Sequence, residues 1–245
     1  TYLDGRQNEL SNHDKSIRPQ MTLRGTSYNI DGDILEDLLI DDRVCDCCQT
    51  DLAITENGES IVVYRDRSED EVRDIYYSYK KDSKWSKPIN IFNDNWEISG
   101  CPVNGPAIST LNNTSAVVWY TFSKNKNQIK VAFTDNISSG FQPPILVEAN
   151  DPIGRVDIEL LNDSNAIISF IDIIDGEAYI KLQRITKEGS QSKLLLIDES
   201  SESRSSGFPV ITLNKEKSNT IIAWTESKEN FKIKTAIVDN SFFFN

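Results

Sequence analysis

Val44-Cys-Asp-Cys-Cys-Gln-Thr-Asp-Leu-Ala-Ile-Thr-Glu-Asn-Gly-Glu-Ser-Ile-Val-Val-Tyr-Arg-Asp-Arg67 decides the fold. It reads as a polar, cysteine-rich loop, a short strand at Asp51–Ile54, a Glu56-Asn-Gly58 turn and a strongly β strand at Ile61–Tyr64. An Asn-Gly pair between two β-rich runs is a hairpin signal, because both residues tolerate positive φ. The same phrase returns three times. Short strands recur at Pro106-Ala-Ile, Val156–Leu160 and Pro209-Val-Ile, and turns at Asn112–Thr114, Asn162–Ser164 and Asn214–Glu216. The second strands recur at Ala116–Tyr120, Ala166–Phe170 and Thr220–Trp224. Ala53, Ala107, Ile158 and Val210 mark a period of 54, 51 and 52 residues.

Each unit continues into a third strand of alternating character: Ile75–Tyr79, Ile129–Phe133, Ala178–Leu182 and Phe231–Ile237. Fourth strands are expected at Ile89–Phe92, Ile145–Val147 and Leu194–Ile197, with Ser241–Phe244 as the only candidate in the last unit. No segment has helical periodicity. Four-stranded meanders repeating every ~40–50 residues are propeller blades, and a β-sandwich gives no reason for a fixed period. The expected fold is all-β, a single β-propeller domain of four-stranded antiparallel blades over residues 1–245. Residues 1–44 form a partial blade, with strands at Met21–Thr26 and Leu35–Ile40, and 45–95, 96–150, 151–202 and 203–245 are blades. That makes about five blades, and a further N-terminal blade is expected to complete a ring of six.

Composition narrows the function. A net charge of −12 argues against nucleic acid, whose phosphates need a basic footprint. No apolar run approaches ~18 residues, so no transmembrane segment is expected. There is no Gly-rich phosphate loop, and a lone histidine, His13, makes histidine-based catalysis a poor expectation.

In four-stranded blades, the loop leading into strand one and the loop from strand two to strand three open on one face. The first set is Cys45–Thr50, Gly100–Gly105, Ile153–Arg155 and Arg204–Phe208, and the second is Arg65–Arg73, Thr121–Asn127, Asp172–Gly176 and Glu226–Asn230. This face collects Arg43, Arg65, Arg67, Arg73, Arg155 and Arg204, while lysines such as Lys80, Lys87, Lys181 and Lys193 fall on outer strands and opposite turns. Arg grips carboxylate or phosphate with a planar fork. Two readings follow: the face binds an anionic small molecule or glycan, or the arginines pair with Asp46, Asp66, Glu69, Glu71 and Asp74 and hold loops. A protein partner on this broad face is a third.

All four cysteines, Cys45, Cys47, Cys48 and Cys101, also map to this face. Pairing Cys45 with Cys48 and Cys47 with Cys101 strains the chain least. A thiolate site for zinc or Cu(I) is the alternative, and free thiols the third option; no other cofactor is expected. Trp96 is either a ligand platform or a packing residue, and Trp85, Trp119 and Trp224 read as core.

Cys45-Asp-Cys-Cys-Gln49, Tyr64-Arg-Asp-Arg67, Arg73-Asp-Ile75 and Trp96-Glu-Ile-Ser-Gly-Cys-Pro-Val-Asn-Gly-Pro106 resemble exported bacterial BNR/Asp-box propellers of the sialidase-like kind, over most of the chain. Phe133–Phe141 is the stretch nearest to an Asp-box. The resemblance implies a six-bladed fold and an extracytoplasmic location. It also implies a carboxylate-gripping arginine set, here assigned to Arg65, Arg67 and Arg155 with Arg73 and Arg204 nearby. Asp66 and Glu69 are then the acid/base candidates of an exo-sialidase-type hydrolase. The alternative is a non-catalytic binding or assembly module.

Overall fold

A computed structural model describes residues 1–226 and 231–244. They form two compact units, residues 1–105 and 106–245.

The first unit holds two antiparallel sheets. In the first, β1 (Tyr2–Asp4), β2 (Met21–Tyr28) and β3 (Ile34–Val44) lie in the order β1-β2-β3. A helix, α1 (Arg6–His13), connects β1 to β2 and was not expected. Its eight residues carry one large apolar side chain, Leu10, so no stripe announces it. The second sheet comprises β4 (Asp51–Ile54), β5 (Ser60–Arg65), β6 (Ile75–Lys81), β7 (Lys84–Trp85) and β8 (Ile89–Phe92). The order is β4-β5-β6-β7, with β8 also paired to β6. Between β4 and β5, Gly58 takes φ 78°, the left-handed backbone that the Asn-Gly turn requires. Leu23, Ile40, Val44, Val62 and Tyr64 form one core cluster of this unit.

The second unit holds three sheets. The first is β9 (Ala107–Leu111), β10 (Thr114–Ser123), β11 (Lys126–Thr134) and β12 (Ile145–Leu146), and the next β13 (Asp151–Asn162), β14 (Asn165–Ile174), β15 (Glu177–Thr186) and β16 (Leu195–Glu199). Each is an antiparallel meander in sequence order. The last is β17 (Val210–Leu213), β18 (Asn219–Glu226) and β19 (Lys232–Asp239). Second strands of the repeat, β5, β10 and β14, are buried on both faces, which is why they read as continuous apolar runs.

Four expectations are corrected. Ser241–Phe244 is not a fourth strand: residues Asn240–Phe244 form a 3-10 turn. Asn240 causes this, because its side chain accepts from Thr220 Oγ1 at 2.7 Å and donates to the Lys217 carbonyl at 2.9 Å, turning the chain off the sheet. Phe243 is then buried against Ile222 and Trp224. Ile153–Arg155 is not a loop but an irregular part of β13, with register shifts on both sides of Gly154. Thr121–Asn127 and Asp172–Gly176 are not open loops either: their strands run on to two-residue turns at Lys124-Asn125 and Asp175-Gly176. Lys181 lies on the third strand as expected, but its ammonium is buried on Asp172, 2.5 Å away, whose carboxylate also takes the backbone N–H groups of Asn150 and Asp151. The Glu226–Asn230 loop lies outside the described residues beyond Glu226.

Candidate active site in the first unit

The second sheet keeps a long connection between its second and third strands, residues 66–74, where the next two sheets have two-residue turns. Main-chain pairing folds this connection onto its neighbours. Val44 bridges Asp66, Cys45 N donates to the Arg65 carbonyl, and Val72 bridges Glu97. Arg73 N donates to the Trp96 carbonyl and Ile98 N to that of Glu71. Asp74 completes the clamp, with its carboxylate accepting from Asn95 N at 3.0 Å and Trp96 N at 3.1 Å. The cysteine loop, the 66–74 loop and the 93–105 segment therefore meet, as the register of the repeat required.

The disulfides join the same loops: Cys45 to Cys48, and Cys47 to Cys101 across 54 residues. This is the pairing that the sequence reading favoured among the disulfide options. Gln49 adds a second tie, accepting from Gly105 N at 3.0 Å and donating to its carbonyl at 3.4 Å. Gly105 must be glycine, because a Cβ there would sit 1.9 Å from the Gln49 carbonyl oxygen.

The arginines divide by what they hold. Arg65 is fully buried and donates to the carbonyls of Asn104 at 2.7 Å and Arg73 at 2.5 Å. Its guanidinium lies 4.8 Å from the ring of Trp96, itself buried. Arg73, also buried, meets Glu71 at 2.8 Å and the Cys45 sulfur at 3.5 Å. In the second unit, buried Arg155 takes φ 55° in β13 and gathers the carbonyls of Ser201, Glu202 and Ser203 at 2.7–2.9 Å, together with the Ser206 hydroxyl. Arg204 is exposed at the start of the 3-10 turn Arg204–Ser206. The guanidinium groups of Arg65 and Arg155 thus hold main chain.

A second group is held by carboxylates: Arg18 is half-exposed, Arg67 partly exposed and Arg43 buried. Arg67 forks onto Glu71 at 2.9–3.1 Å and reaches Asp46 at 2.8 Å. Arg43 contacts Glu71 at 3.1 Å and Glu69 at 2.9 Å, and Arg18 meets Glu69 from another loop. Glu71, gripped by Arg67, Arg73 and Arg43, has its carboxyl pulled down to about 2, the Arg67 hydrogen bonds being the main cause. Glu69 is held low by Arg18 and then Arg43, yet its side chain is 70% exposed. Arg18 was not among the sequence candidates, and Arg43 was placed on the face but not in the carboxylate grip. Each meets Glu69 across more than twenty residues of chain, and no local pattern signals such a pairing.

Asp66 behaves differently. Half-buried, it has its carboxyl pushed up to about 7, first by burial and then by the charge of Asp41, against the pull of Arg43. Asp41 is raised too, by burial, although the buried Tyr64 hydroxyl donates to it at 2.6 Å. The folded chain holds the Asp66 proton more tightly than the unfolded chain, so stability falls as pH rises from about 4 to about 7 and is level above. For a sealed group the cost above that window is ~4 kcal/mol, and partial solvation brings it to roughly 2 kcal/mol. Asp66→Asn is therefore expected to stabilise the chain by roughly 2 kcal/mol at about pH 8 and not at about pH 4, in urea unfolding.

The second unit has a separate groove of about 460 Å³ between the β10–β11 turn and the segment leading into β13. Phe122 is exposed there beside Lys126, Gln128 and Asn150. Asn127 accepts from the Tyr120 hydroxyl at 2.5 Å and donates to Asp151 at 2.7 Å. An aromatic face among amides and one acid is amphipathic in the way a sugar ring is.

No protein-family model and no curated protein sequence matches the chain. Among solved structures it is similar to the Hadza microbial sialidase Hz136, with 13% identity and a TM-score of 0.54, over 92% of this chain and 54% of that one. The chain thus spans about half the length of that sialidase. The endo-arabinase of Bacteroides thetaiotaomicron shares 14% identity over 78% of this chain and 74% of its own, with a TM-score of 0.49. The neuraminidase-like protein N11 of A/flat-faced bat/Peru/033/2010 shares 10% over 79% and 49%, with a TM-score of 0.48. With the sheets described above, the likeness to Hz136 makes the fold a β-propeller of antiparallel blades, sialidase-like in architecture. Fold alone assigns no chemistry.

Proposed function

We propose that the chain binds an acidic glycan at the carboxylate-paired arginines of the first unit and cleaves it as a sialidase-type glycoside hydrolase. The observation that carries this reading is Asp66, a half-buried carboxyl held at about 7 beside Arg43. A carboxyl in that range donates a proton at neutral pH and takes it back, which glycosidic cleavage needs. Arg18, Arg43 and Arg67 form the grip; Glu69 occupies Arg18 and Arg43, while Arg67 holds Glu71 and Asp46. Glu69, held as a carboxylate by two guanidinium groups, is a stand-in for the ligand's own carboxylate and not the acid. Two disulfides support an extracytoplasmic location.

Hydrolysis of a fluorogenic sialoside by the parent and by Asp66→Asn tests the assignment. Loss of an acid/base group is expected to lower kcat by about 10²–10⁴-fold with KM little changed. Turnover within a few-fold of the parent would remove Asp66 from the chemistry.

A second reading is a non-catalytic glycan-binding module, and the Phe122 groove favours it. Glycan retention without turnover, weakened by Phe122→Ala and indifferent to Arg67→Ala, would select it.

A further inference from the structure

The four cysteines of the chain are joined in one part of the first unit by two disulfides. The two disulfides are neighbours, with Cys45 Sγ and Cys47 Sγ 4.0 Å apart. The sulfurs of Cys45, Cys47 and Cys48 lie within 4.8 Å of one another, and Cys101, bonded to Cys47, brings the fourth from a second loop. Four thiolates ~2.3 Å from one tetrahedral zinc stand ~3.8 Å apart, so Cys45, Cys47 and Cys48 have close to the spacing of such a site, and Cys101, outside that trio, completes it by moving in with its loop once the bonds are opened.

The loops do not depend on the disulfides alone. Gln49 ties to Gly105 through both main-chain groups, Arg65 holds the Asn104 carbonyl at 2.7 Å, and Cys45 N donates to the Arg65 carbonyl at 3.0 Å. Opening the bonds therefore leaves Cys101 facing Cys47. Buried Arg73 donates to Cys45 Sγ at 3.5 Å and offsets part of the negative charge that thiolates bring.

We propose that this cluster is a redox-gated zinc site, two disulfides when oxidised and a tetrathiolate when reduced. Exposed Cys101 makes Cys47–Cys101 the bond an external dithiol reaches first. That bond takes two electrons and two protons, and the dithiol leaves as its own disulfide. The freed Cys47 thiolate sits 4.0 Å from Cys45 Sγ. It attacks the Cys45–Cys48 bond, forming Cys45–Cys47 and expelling Cys48 as a thiolate, and a second dithiol reduces the new bond. The four thiols release their protons as they ligate Zn²⁺. A closed four-sulfur set is the arrangement of a structural zinc rather than a catalytic one.

The test uses the full chain, reduced with a phosphine, freed of it without oxygen, and titrated with Zn²⁺ against a chromophoric chelator. The expected result is one Zn²⁺ per reduced chain and none for the oxidised chain at the same concentrations. Co²⁺ in its place is expected to give the absorption of tetrahedral thiolate coordination, and Cys101→Ser to weaken uptake by more than ~100-fold. Zn²⁺ is also expected to raise the Tm of the reduced chain, because a ligand of the folded state stabilises it. No uptake, equal uptake by the oxidised chain, or indifference to Cys101→Ser would overturn the proposal. So would an unchanged or lowered Tm, which assigns the uptake to thiols of the unfolded chain.

Discussion

Arg65→Ala is expected to destabilise the first unit by about 3–5 kcal/mol. Arg65 is fully buried, so its loss strips the Asn104 and Arg73 carbonyls of their donors and leaves a void beneath Trp96. Each orphaned carbonyl costs ~1–3 kcal/mol when water cannot reach it. The comparison is Arg67→Ala. Its partners Glu71 and Asp46 are partly solvated, so its cost to stability is expected to stay below ~1 kcal/mol. Hydrogen exchange of β5 and β6, followed in both variants, reads the difference. A loss of less than ~1 kcal/mol for Arg65→Ala would mean that water or another donor replaces the guanidinium, and that the loop cluster is not built on it.

Replacing Cys47 and Cys101 together by serine is expected to cost about 4 kcal/mol, and replacing Cys45 and Cys48 about 2 kcal/mol. The first disulfide closes 54 residues and the second only three, and a longer closed loop removes more freedom from the unfolded chain. Urea unfolding of the two double variants checks the order as well as the size. Equal losses would show that the bonds act through local packing instead.

What the sequence disclosed and what it hid divide along locality. Asn57-Gly58 and its counterparts write their turns into adjacent residues, so the repeat, and with it the strand order, was legible. The cysteine pairing followed, because one repeat length carries the loop at Cys47 to the loop at Cys101. Asn240 shows the limit: its capping of Lys217 and Thr220 is a contact across a hairpin, and Ser241-Phe-Phe-Phe244 by itself reads as a strand. Arg65 and Arg67 show it at the site. Two residues apart and chemically identical, they part because Arg65 ends β5 under Trp96 while Arg67 lies out on the connection. Arg18 stayed hidden because its partner Glu69 is 51 residues away, and nothing around Pro19 marks it.

The pairing of Glu69 with Arg18 and Arg43 turns the central claim into a question of sign. If these guanidinium groups receive a glycan carboxylate, Glu69 competes with it. Titration of the parent, Glu69→Gln and Arg43→Ala with a sialylated oligosaccharide, beside its neutral counterpart, is the direct measurement. Removing the largely exposed Glu69 carboxylate, whose pairing is worth up to ~1 kcal/mol, is expected to tighten binding by about 2- to 5-fold in Glu69→Gln. Arg43→Ala is expected to weaken it by at least about 10-fold, and the neutral sugar to show neither change. Weaker or unchanged affinity in Glu69→Gln, with Arg43→Ala binding as well as the parent, would contradict the account and return these arginines to the role of holding loops.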